Sequence, residues 1–365
     1  MAMLFKAFSK WKEELRLKLW GPETRSPDAR SADSIQPLSA VERAVGCGGA
    51  GDDGAAVVQR NRLITQLKGS DQNKWEAART LLKIGWVPGD PTEKVWYLAA
   101  SGNWEDVSKL GTEAVQPVVS ILLDGEIEMH TRKASANILN QFGWKPHDRQ
   151  ELISHLLVSE RWDELVKLGA EVTDVLLKTC KSEPAGSRWR FGAMKALGEM
   201  RVTEAVGQLM GILYEKHVAW DHAGAAEALL TIGDSSAIDA LADAFKRTAG
   251  QVYTGGDHYS HYSAVRDACA KALATLDGEK TISRVCDIIC ECANFVNSCG
   301  HPRIDDVCNL HSGLGLGDAY VAEKGIEVLE RIGGRRSIEA LRKVLTVKSQ
   351  SVRSKAQKAL AKLAG

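Results

Sequence analysis

From about Ala55 onward, apolar residues return at three- and four-residue spacing in segment after segment, and no stretch alternates with the period of two that marks a half-buried strand. The pattern predicts an all-α chain. Seven segments share one register: a small pair, a Leu four residues before a closing turn, and an apolar residue just before that turn. They run Ala77-Ala78, Leu81 and Ile84 before Gly85; Ser135-Ala136, Leu139 and Phe142 before Gly143; and Ala193, Leu197 and Met200 before Arg201. The same order returns as Ala225-Ala226, Leu229 and Ile232 before Gly233, then Cys269-Ala270, Leu273 and Leu276 before Asp277. Gly325-Ile326, Leu329 and Ile332 precede Gly333, and Ala356, Leu360 and Leu363 precede Ala364. Small residues on one face let helices approach closely, and a terminal Gly suits the residue just past a helix end.

Each such segment comes after another apolar helical stretch, near 56–68, 112–123, 170–180, 203–214, 235–247, 279–296 and 336–346. The expected fold is therefore an α-solenoid of about seven antiparallel helix pairs. Residues 85–113 also recur 58 positions later, with twelve of 29 positions identical: Gly85-Trp86-x-Pro88-x-Asp90 returns as Gly143-Trp144-x-Pro146-x-Asp148. Two short-helix pairs, near 91–101 and 103–109 and near 149–159 and 161–167, are read as insertions that stretch this period. Trp86, Trp104, Trp144 and Trp162 are expected to pack at the junctions. A fixed period marks a stack of units that cannot each fold alone.

The organisation resembles HEAT-repeat α-solenoids, particularly the short-repeat class first noted in phycobilisome chromophore lyases. The likeness rests on Val265-Arg266…Ala272-Leu273, Val352-Arg353…Ala359-Leu360 and Ala225-Ala226-x-Ala228-Leu229…Ile232-Gly233-Asp234, and covers about residues 55–365. It implies a fold in which second helices line a concave face. On function it is nearly silent, since one architecture serves many uses.

Ahead of the solenoid, residues 3–20 form an amphipathic helix, with Phe5, Phe8 and Trp11 opposite Lys6, Lys10 and Lys12. It suits peripheral membrane contact, docking on a partner, or capping the solenoid end. Residues 21–54, rich in Gly, Ser, Pro and Asp, read as a flexible linker. The 365 residues carry no net charge, which argues against a dedicated polyanion binder, although residues 334–365 hold nine cations against Glu339. A nucleic-acid reading would rest on Arg335, Arg336, Arg342 and Lys343. Eight Cys without an apolar leader fit a reducing, cytoplasmic setting.

Four groups of residues are candidates for chemistry. Eleven residues before the closing turns stand Lys74, Arg132, Arg190, His222, Arg266 and Arg353. They form either a cationic stripe for an acidic partner or a ladder bonded to carboxylates and helix ends of neighbouring repeats. Beside them lie Trp75, His130, Trp189, Trp220, Tyr259, His261, Tyr262 and Tyr320, as groove anchors or as junction packing. The stretch 250–263, with His258, reads as a recognition loop. Finally, Cys299, His301, Cys308 and His311 could hold a structural Zn²⁺, whereas Cys286 and Cys290 share an apolar helix face and read as buried thiols.

Enzyme signatures are missing: no phosphate loop after a strand, no His-Glu-x-x-His, no Ser elbow. The first expectation is a scaffold that binds a protein or peptide, without a cofactor. The resemblance adds a lyase-type subunit holding a tetrapyrrole as an alternative.

Overall fold

A computed structural model describes residues 53–68, 74–215, 219–248, 258–276, 278–298 and 316–364. The expected N-terminal helix and most of the linker lie outside them. Every regular element among the described residues is helical. The chain divides into two compact units, Met1–Asn103 and Trp104–Gly365.

In the first unit α1 (Asp53–Lys68) packs against α2 (Lys74–Lys83), and both meet α3 (Pro91–Ala100). Leu63, Leu67, Ala77, Ala78, Leu81, Val95 and Trp96 make the core, with the Lys74 ammonium 5.7 Å above the Trp96 ring. The recurring Gly-Trp-x-Pro-x-Asp motif is a helix stop joined to a helix start. Gly85 takes φ +70°, its N–H donates to Leu82 O (3.0 Å), and the Trp86 N–H donates to Leu81 O (3.1 Å). That pairing satisfies the last carbonyls of α2. Asp90 then accepts from the Thr92 N–H at 2.7 Å and starts α3, worth about 1 kcal/mol as a cap.

The second unit repeats the device. Gly143 (φ +69°) and Trp144 close on Asn140 and Leu139, and Asp148 accepts from the Glu151 N–H at 2.8 Å. Its helices are α4 (Trp104–Lys109), α5 (Val115–Leu123), α6 (Met129–Gln141), α7 (Arg149–Val158), α8 (Trp162–Lys167), α9 (Thr173–Ser182) and α10 (Arg188–Glu199). They continue as α11 (Val206–Leu213), α12 (Ala219–Ile232), α13 (Ile238–Arg247), α14 (His258–Leu273), α15 (Gly278–Ser298), α16 (Leu316–Ile332), α17 (Gly334–Val344) and α18 (Gln350–Ala364).

Neighbours pack in pairs: α5 with α6, α9 with α10, α11 with α12, α13 with α14, α15 with α16 and α17 with α18. Pairs then stack through like members. Second helices touch in the order α10, α12, α14, α16, α18, and first helices in the order α11, α13, α15, α17. The small residues explain how closely the second helices approach. A Cβ on Gly198 would sit 2.8 Å from the Ala228 Cα, so α10 and α12 meet almost backbone to backbone. The Arg201 turn makes the same stop as Gly143 with φ +54°, a conformation that strains a side-chain-bearing residue.

Candidate binding surfaces

Four of the six repeated basic residues cap helix ends. Arg132 is buried, and its Nε donates to Leu122 O at 2.8 Å, one of the last carbonyls of α5. Arg266, also buried, donates from Nε to Thr248 Oγ1 and from Nη2 to Thr248 O, both at 3.2 Å, just past α13. Arg353 Nη1 donates to Val347 O (2.7 Å) and Lys348 O (2.8 Å) beyond α17, and His222 Nε2 to Glu215 O (3.0 Å) beyond α11. A cation there meets orphan carbonyls at the negative end of a helix dipole. The ladder expected between repeats is thus mostly wired within each pair. As a stripe presented to a partner, Arg132, Arg190 and Arg266 are displaced from that role by their burial.

Arg190 follows a different scheme. Its Nη2 meets Glu215 Oε1 at 2.5 Å and its Nε lies 3.5 Å from Asp221 Oδ2, so it ties α10 to the next pair. Asp221 is wholly buried and also accepts from the Gly186 N–H at 3.0 Å. Burial pushes its carboxyl above the ordinary carboxylate range, against the pull of Gly186 and Arg190. Sequence reasoning missed Asp221. The signal was present, however: twelve residues before the closing turn, other units place Trp189, Val265, Val321 and Val352, all buried. An acid in that register is a buried charge that demands a partner.

The aromatic candidates separate into two kinds. Trp189 is buried, donates from Nε1 to Val158 O at 3.2 Å, and lies beneath Lys133 and Arg188. It is a junction residue. His130 stays exposed with its ring edge-on to Trp189, centroids 4.7 Å apart. Tyr320 is 44% exposed with the Arg266 guanidinium 5.8 Å from its ring, and Trp220 is half-buried on α12. Phe191, not singled out from the sequence, is 37% exposed and rests where a Cβ on Gly224 would meet its ring at 2.9 Å. In the first unit Trp75 is half-buried.

His258, Tyr259, His261 and Tyr262 fall in the first turns of α14 rather than in a loop. From His258 the segment holds no Gly or Pro, and the helical register of Val265, Cys269 and Ala272 extends back through it. The remainder of the expected loop, 250–257, lies outside the described residues, as do Cys299, His301, Cys308 and His311. Among the described residues no group of three or more His, Cys, Asp or Glu is placed to hold a metal ion. Cys180 and Cys269 are buried, and burial pushes both thiols up to about 12. On α15 the Cys286 thiol hydrogen-bonds the half-exposed Cys290 and holds it below the ordinary thiol range, with Lys343 acting in the same sense.

The C-terminal cations are largely engaged. Arg335 pairs with Glu339 at 3.0 Å, Arg336 with Glu279, and Lys343 with Asp287 at 3.5 Å. Lys355 joins Glu323 (3.2 Å) and Glu327 (3.0 Å).

One sizeable cleft, about 620 Å³, opens in the second unit between the α5–α6 turn, α7 and α9. Ile127, Met129, Ile153, Leu157 and Val175 give it an apolar lining, and Arg132 lies at its wall. Among the described residues no helix is long and apolar enough to cross a membrane. No protein-family model matches the chain, and no curated protein matches it significantly.

Proposed function

We propose that the chain is a non-catalytic binding scaffold, a HEAT-like α-solenoid of about seven helix pairs with two inserted short-helix pairs, which docks a protein partner along the starts of its second helices. The observation that carries this reading is the set of accessible rings near the starts of second helices: His130 on α6, Phe191 on α10, Trp220 on α12 and Tyr320 on α16. Aromatics on a rigid frame present large contact area at low entropic cost, as interface anchors do. Arg132, on the same helix as His130, and Arg266, near Tyr320, hydrogen-bond to the ends of the preceding helices. Paired carboxylates on the C-terminal cations reduce the free charge that a phosphate backbone would need, which favours a protein partner over nucleic acid.

Photo-crosslinking tests the reading. A benzophenone amino acid at Phe191 or Tyr320 is expected to trap one stoichiometric protein in the native host that the same group at exposed Arg335 does not trap. The double variant Phe191→Ala/Tyr320→Ala should weaken binding of that protein about tenfold or more, as loss of two anchors implies. Equal products from all three positions, or an unchanged affinity of the double variant, would remove the row as a docking surface.

A further inference from the structure

The cleft between α7 and α9 is bordered by a buried cation, Arg132, that has no carboxylate in direct contact among the described residues. Arg132 is only 7% exposed, yet its hydrogen bonds go to neutral atoms: Leu122 O at 2.8 Å and the Met129 sulfur at 3.7 Å. Among the described residues no carboxylate is in ion-pair contact with it, and Asp124 and Glu183 act on it only through space. The other charges around the cleft are occupied. Arg149 is bound in two-fold fashion by Glu171 (2.6 and 3.2 Å), Lys178 has Glu126 at 3.9 Å, and Glu183 accepts from Ser187 Oγ at 2.8 Å. A buried guanidinium with no carboxylate in direct contact is only partly compensated, and an anion that reaches it from outside adds the missing ion pair.

We infer that this cleft is a binding site for a small amphipathic monocarboxylate, whose apolar body lies on Ile127, Ile153, Leu157 and Val175 while its carboxylate meets Arg132. A volume of about 620 Å³ falls in the range of small-molecule sites, roughly 300–1,000 Å³. Such sites combine an apolar patch with a few placed polar groups, and here Arg132 is the cation on the lining not already paired with a carboxylate. Glu171 and Glu183 on the lining select against a second negative charge, so a monoanion fits better than a dianion. The inference does not depend on the proposed protein-docking row.

The test uses decanoate as probe and decanol as its uncharged counterpart, titrated calorimetrically into the full chain at pH 7.5. Decanoate is expected to bind, with decanol weaker by about tenfold or more, the difference one charge-assisted contact makes. Ile153→Trp reduces the free volume of the cleft while keeping Arg132 itself, and should reduce decanoate binding about tenfold while the melting temperature holds. Arg132→Lys keeps the charge but loses the fork, and should weaken decanoate while leaving decanol unchanged. Equal affinity for decanol and decanoate, decanoate binding indifferent to Ile153→Trp, or no binding at all each overturns the inference.

Discussion

Arg132 and Arg190 stand 58 residues apart at the same register of α6 and α10, and their surroundings could hardly differ more. Arg190 is clamped between Glu215 and the buried Asp221, whereas Arg132 borders an open cleft and bonds to a carbonyl and a thioether. The next stretch of chain accounts for the difference. After α10 the next pair, α11 and α12, packs directly, and brings its own acid to the junction. After α6 come the short helices α7 and α8, and α7 forms a wall of the cleft. One residue type at one register thus becomes a fastener in one place and the lining of a cavity in the other.

The sharpest way to break this comparison is to remove each guanidinium in turn. Arg190→Met leaves Asp221 buried without its cation and should cost about 3–5 kcal/mol in denaturant unfolding. Arg132→Met forfeits one carbonyl bond and should cost about 1–2 kcal/mol. Equal losses would show that the two sites are energetically alike. Next in size is the close approach that lets α10 and α12 seat Arg190 against Asp221. Gly198→Ala drives a methyl group into the Ala228 backbone and should lose about 2 kcal/mol despite the better helix former. An unchanged midpoint would mean the two helices separate freely.

A smaller effect runs in the stabilising direction. Arg201→Gly relieves a positive φ at the end of α10 and should gain about 1 kcal/mol, while the matching turn at Gly143 after α6 has nothing to gain. Smallest is the response to pH. Burial holds His155, on α7 against Asn140 and Trp144, and His222, near Arg190, below the ordinary imidazole value of 6.5. On acidification the unfolded imidazoles take up protons first, so stability present above pH 6.5 drains away as pH falls through 6.5 toward the folded values. Denaturant midpoints between pH 8 and 5.5 should fall less steeply in His155→Gln and in His222→Gln, and least in the double variant. A slope indifferent to both substitutions contradicts the burial argument.

Much of the fold is legible in the sequence because its determinants are local. The small pair, the Leu and the closing Gly fix where α2, α6, α12 and α16 end, and Asp90 and Asp148 mark where α3 and α7 begin. The sites are less legible because they depend on what a distant segment brings. Arg132 and Arg190 are indistinguishable by spacing, and only packing across the pairs separates them. Trp189 and Phe191, two residues apart on α10, look equally suited to a groove, yet one is buried against Val158 and the other reaches the surface. The start of α14 reads as a loop because two histidines and three tyrosines near two glycines suggest one, although the glycines precede the helix.

Where a pair's basic residue caps the end of its own first helix, as Arg266 and Arg353 do, the pair carries its wiring with it. A stretch of chain copied in tandem then arrives with those helix ends already satisfied, and the new neighbours have only apolar faces to match. A tandem copy would leave a fixed-period recurrence of the kind seen 58 residues apart. Junctions like Arg190 with Asp221, which reach across from one pair to the next, are the ones a duplication would have to rebuild.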